Sequence, residues 1–83
     1  MTRKDTLKWF AVKMMNQLDK NSRKTHWRFM PQDYLLNRLT EQSIKLHKEL
    51  RIGGSRLEVI RRCSNVANYA MMIADNERRF LEK

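Results

Sequence analysis

Eighty-three residues carrying eighteen Lys and Arg against nine Asp and Glu, a formal net charge of +9, suffice for one domain but bury too little surface to be comfortably stable alone. A single cysteine, Cys63, excludes an internal disulfide and reads as a small hydrophobe in a reducing compartment; the longest mostly apolar run, residues 66–74, is too short to span a bilayer and is interrupted by Asn68. No apolar signal core follows Arg3, Lys4 and Asp5, so the chain reads as soluble and cytoplasmic, residues 1–83 forming one domain stapled by self-association. The positive charge suits nucleic acid, free nucleotides and acidic proteins alike, because no run reaches the five or six like charges of a basic tail.

The chain reads as all-α. From Asp5 to Lys20, residues Leu7, Phe10, Ala11, Met14, Met15 and Leu18 recur at three- and four-residue spacings, the stripe of a first helix. Residues 21–30 break that pattern, and Pro31 suits the first turn of a second helix running to about Arg51, with Leu35, Leu36, Leu39, Ser43, Leu46 and Leu50 expected inside. Gly53 and Gly54 end it. Ser55-Arg56-Leu57-Glu58 has the form of a capping box, so a third helix starts near Arg56. Its apolar residues fall in two stripes, one of Val59, Ile60, Cys63, Val66, Ala67, Ala70, Ile73 and Ala74, the other of Tyr69, Met72 and Phe80. Two short helices cannot cover both, which predicts a homo-oligomeric helical bundle, a dimer or tetramer.

Two segments carry a resemblance. Leu35 to Leu50 (LLNRLTEQSIKLHKEL) and Glu58 to Asp75 (EVIRRCSNVANYAMMIAD) resemble the all-α MazG-like nucleoside triphosphate pyrophosphohydrolases, whose signature is E-E-x-x-E on one helix and E-x-x-D on the next, often continued as D-V-A-N-x-A-M-M-I-A-D. The resemblance implies four Mg²⁺-binding acids, and the matching positions here are Gln42, Lys45, Arg62 and Asn65. None is an acid. Replacing four negative charges by two positive ones changes the site by six charge units, and two cations about 5 Å from a dication would each cost on the order of several kcal/mol at an effective dielectric near 20. The implied metal-assisted hydrolysis is therefore expected to be lost, leaving a degenerate site with neither metal nor cofactor.

Residues three apart share a helix face, so Gln42 with Lys45 and Arg62 with Asn65 are expected to line one groove, where the two cations suit phosphate oxygens. The alternative is that Lys45 and Arg62 are solvated helix charges. Residues 23–29 are similar to the K-G-G-W loop of phage-type members, with Lys24 and Trp27 matching; such a loop can stack a base and meet phosphate, or the tryptophan can cap the bundle core. Asn68 stands where the family's D-V-A-N asparagine contacts nucleotide, and is otherwise a buried structural amide. His26 and His47 lack a third ligand at metal-binding spacing.

The leading expectation is a non-catalytic nucleotide-binding protein, of the kind a phage could use in the host cytoplasm to sequester a nucleotide-derived defence signal. Its ligand residues would be Lys24, Trp27, Gln42, Lys45, Arg62, Asn65 and Asn68. Two alternatives stand beside it: a residual or altered pyrophosphohydrolase using Glu41, Glu49 or Glu58, and a basic helical adaptor for nucleic acid or an acidic protein.

Overall fold

The computed structural model describes residues 1–20 and 27–82. Its elements are three helices, α1 (Arg3–Lys20), α2 (Gln32–Arg51) and α3 (Arg56–Leu81), with no strand among the described residues. Lys24 lies outside the described residues.

Each helix start has a local cause. At α1 the Thr2 hydroxyl accepts from the Asp5 amide (3.1 Å) while the Asp5 carboxylate accepts from the Thr2 hydroxyl and amide (2.8 and 3.2 Å), a reciprocal box that holds the Asp5 carboxyl below its ordinary pKa. Pro31 caps α2 with the φ of −59° that its ring imposes. The expected box at α3 forms by half. Ser55 accepts from the Glu58 amide (3.1 Å), but the Glu58 carboxylate turns to Arg61 instead. Between α2 and α3, Gly53 takes the left-handed φ of +71° and the Gly54 amide closes the turn on the Glu49 carbonyl at 2.8 Å.

α3 is the spine. Arg38 of α2 meets Tyr69, Glu49 meets Arg62, and Gln32 meets Ile73, so α2 runs antiparallel to α3. Asn68 of α3 donates to the Met14 carbonyl (3.0 Å), and Gln17 and Lys20 lie beside Ser64 and Arg61, so α1 is antiparallel to α3 on another flank. The molecule measures 43 × 30 × 21 Å; the thin dimension equals about two helix diameters, leaving each helix an uncovered face.

The buried apolar core of the described residues is Leu35, Tyr69 and Met72, with Leu18, Trp27, Met30, Leu39, Met71 and Ile73 packed around it. Several expected stripe positions point elsewhere. On α2 the inward line is Leu35, Leu39, Gln42, Leu46 and Glu49, while Leu36 and Leu50 are 52% and 62% exposed and Ser43 is exposed with its hydroxyl on the Leu39 carbonyl. The apolar arc of α2 is broader than one neighbour can cover, and α3 takes only half of it. On α1, Leu7, Ala11 and Met15 are exposed for the same reason.

The largest correction concerns α3. Its buried residues are Ser64, Asn65, Asn68, Tyr69, Met72 and Asn76, whereas Ala70, Ala74 and Phe80 are exposed. Stepping about 100° per residue around the helix explains the inversion. Arg62, Tyr69, Ile73 and Asn76 face α2, and Ile60, Arg61, Ser64 and Asn68 face α1. The arc of Val59, Cys63, Val66, Ala70 and Ala74 falls largely opposite the space between them: Ala70 and Ala74 are exposed, Val59, Cys63 and Val66 are half-buried, and Val59 lines a cleft with Glu49 and Leu50 of α2.

Candidate ligand site between α2 and α3

Four of the residues singled out by sequence come together as a polar interior. With Arg38 opposite Tyr69 and Glu49 opposite Arg62, the antiparallel register sets Gln42 level with Asn65. Gln42, Asn65 and Asn68 are buried; Arg62 is four-fifths buried, its side chain only 20% exposed. Lys45 is exposed, one turn along α2 from Gln42, and forms the rim.

These buried groups are short of partners. Gln42 Oε1, Arg62 Nε, Asn65 Oδ1 and Asn68 Oδ1 are all buried, and each lacks a hydrogen bond among the described residues. Among the described residues the Arg62 guanidinium pairs with the Glu49 carboxylate at 3.8 Å, too long for a hydrogen bond. Each unmet buried polar group costs about 1–3 kcal/mol, and a charged one more. A half-turn of the Gln42 or Asn65 amide exchanges its oxygen and nitrogen, so either can present a donor or an acceptor. Asn68 has no such freedom: its Nδ2 is committed to the Met14 carbonyl of α1, which fixes its oxygen as an acceptor.

The acids of the altered-hydrolase alternative are occupied by arginines. Glu41 pairs with Arg38 at 2.7 Å, Glu58 with Arg61 at 2.7 Å, and Glu49 faces Arg62. The hydrogen bonds from Arg61 hold the Glu58 carboxyl below its ordinary range, with Arg62 and Lys20 adding to the effect. Among the described residues no three His, Cys, Asp or Glu side chains gather as a metal-binding group.

Trp27 sits elsewhere. Its indole N–H donates to Asp75 at 2.9 Å and its carbonyl accepts from Asn76 at 3.1 Å, about 20 Å along α3 from Arg62 at 1.5 Å per residue. Arg78 and Arg79 also converge on Asp75, and the bonds from Arg78 and Trp27 hold its carboxyl below its ordinary pKa. The structure therefore groups Gln42, Lys45, Arg62 and Asn65 between α2 and α3, sets Asn68 one turn along α3 from Asn65 on the flank that faces α1, and places Trp27 in a separate brace at the far end of α3. This brace has a pH signature. A depressed folded-state pKa contributes stability that is complete above the ordinary carboxylate range and is lost as pH falls through the folded value. Asp75→Asn is expected to lower Tm by several degrees at pH 7, with the gap to the parent chain closing in acid; melting curves followed by tryptophan fluorescence between pH 7 and pH 2 check it.

Sequence periodicity missed Gln17, the buried residue of α1, and the role of Glu49 as the counter-charge of Arg62. The available signal for Gln17 was its place between Met14 and Leu18 on the inward side of α1.

Among the described residues no helix is long and apolar enough to cross a membrane. Compared with known proteins, the chain matches no family model, no curated sequence and no solved structure.

Proposed function

We propose that the chain is a non-catalytic nucleotide-binding protein that holds a nucleotide, or a nucleotide-derived signal, in the groove between α2 and α3 without metal. The supporting observation is the coincidence of two patterns: the positions at which a MazG-like enzyme would hold Mg²⁺ are occupied by Gln42, Lys45, Arg62 and Asn65, and three of these four carry buried polar atoms without a partner. A small core of three buried apolar residues is poorly placed to offset such losses, so a ligand that meets them stabilises the fold. A nucleobase edge offers donors and acceptors to Gln42, Asn65 and Asn68. Phosphate oxygens suit the guanidinium fork of Arg62 and the point charge of Lys45. Capture without turnover fits a phage-type protein that sequesters a host defence signal.

Copies of the chain associate, in this proposal, through the uncovered α3 arc and the apolar residues left exposed on α1 and α2. The test of the binding function is a thermal-shift panel of mono-, di-, tri- and cyclic nucleotides in EDTA. A ligand at about a hundred times its Kd adds about 2.7 kcal/mol, which raises the Tm of a chain this size by roughly 10 °C or more. The same nucleotides with Mg²⁺ or Mn²⁺ are expected to be recovered intact by chromatography. Turnover abolished by Glu41→Ala would replace this proposal with the hydrolase.

A further inference from the structure

The flank of α3 that faces α1 holds an open cleft with charged side chains along its walls. It is a cleft of about 440 Å³ within the size range of small-molecule sites, and its α1 wall carries Lys13, Gln17 and Lys20 at spacings of four and three residues. A helix seam at such positions ordinarily carries apolar side chains that close it. Here it carries two lysines with no ion pair among the described residues, around a buried glutamine, and the seam stays open. Arg61 completes the wall from α3, held by the Glu58 carboxylate in a bidentate pair. With Asp19 and Glu58 counted, the lining still carries three cations against two acids. Arg61 and Asn65 are four residues apart on α3, so the cleft adjoins the α2 groove around one side of the same helix.

We infer that the ligand is a nucleotide with at least two anionic groups, one met by Lys45 and Arg62 and the other by Lys13, Lys20 and Arg61 in the α1 cleft. The inference rests on the nucleotide proposal above and adds a substrate class to it: a polyphosphate chain or a dinucleotide rather than a monophosphate. The Glu58–Arg61 pair then works as a brake, since a phosphate drawing on Arg61 must compete with the carboxylate already there.

The experiment is titration calorimetry with AMP and ATP in EDTA on the full chain. ATP is expected to bind at least tenfold more tightly than AMP. Lys13→Gln combined with Lys20→Gln should bring ATP down to the affinity of AMP while leaving AMP unchanged. Glu58→Gln, which keeps the Ser55 cap to the backbone amide, should tighten ATP about threefold, whereas Asp33→Asn, the same charge change at the start of α2, should not. The gain in the Glu58 variant cannot arise from misfolding. ATP binding no tighter than AMP, or a lysine pair whose loss weakens both probes equally, overturns the two-anion inference while leaving nucleotide binding intact. Failure of the whole nucleotide panel to bind overturns both.

Discussion

Arg62→Gln is expected to weaken nucleotide binding in EDTA by roughly ten- to a hundredfold, the effect of losing one charge-assisted contact of about 1.5–3 kcal/mol. Lys45→Glu should weaken it by about tenfold. The two substitutions test different things because the residues sit differently. Lys45 is on the exposed rim, so reversing its charge leaves the packing alone and reports only on the ligand. Arg62 is four-fifths buried against Glu49, and reversing it would set two carboxylates face to face; removing the charge with glutamine keeps length and polarity without that repulsion. Lys4 and Lys8, exposed on α1, serve as reversals of equal charge outside the groove. Equal losses at Lys4, Lys8 and Lys45, collapsing together between low and physiological salt, would describe diffuse attraction to a +9 surface and favour the nucleic-acid or acidic-protein adaptor. Circular dichroism on each variant separates lost contacts from lost folding.

The helices themselves were legible in the sequence because their signals are local. Pro31, the Gly53-Gly54 break and the Ser55 cap act within a few residues of themselves, and the three helices begin and end close to where these residues place them. The Thr2–Asp5 box was equally local and was overlooked, which moved the expected start of α1 by two residues, from Asp5 to Arg3. Which face turns inward was much less legible. Hydropathy assigns the richest apolar stripe of α3 to the core, but two flanking helices cover only two flanks, and here they cover those with Ser64, Asn65, Asn68 and Asn76. Polar residues stand at inward positions of both helices, Gln42 on α2 and Asn65 on α3, so the polar interior follows from the sequence once α2 and α3 are paired. The pairing of Glu49 with Arg62 needed the register, and so did the distance separating Trp27 from that pair.

Ala70→Arg is expected to split the proposed homo-oligomer and leave a protomer that is largely unfolded at 37 °C. Ala70 and Ala74 are exposed on the uncovered arc of α3, one turn apart, with the half-buried Val59, Cys63 and Val66 continuing the line toward the helix start. A protomer whose buried apolar core among the described residues is Leu35, Tyr69 and Met72 has little with which to offset the conformational entropy lost on ordering three helices. Burying the arc against a second copy removes apolar area from water at about 25 cal/mol per Å², and small side chains let two helix backbones approach closely. An arginine at the centre of that contact places a charge where nothing can pair with it, a loss of several kcal/mol to each protomer it touches. Light scattering should therefore give a multiple of the 10.1 kDa chain mass for the parent protein and the single mass for the variant, with the parent melting temperature rising with protein concentration. Lys8→Ala, on exposed α1 surface outside the arc, should change neither mass nor melting temperature. A parent chain that scatters as one folded 10.1 kDa protomer at micromolar concentration, melting at the same temperature at every dilution, would mean that the arc faces water and that the three helices hold together unaided.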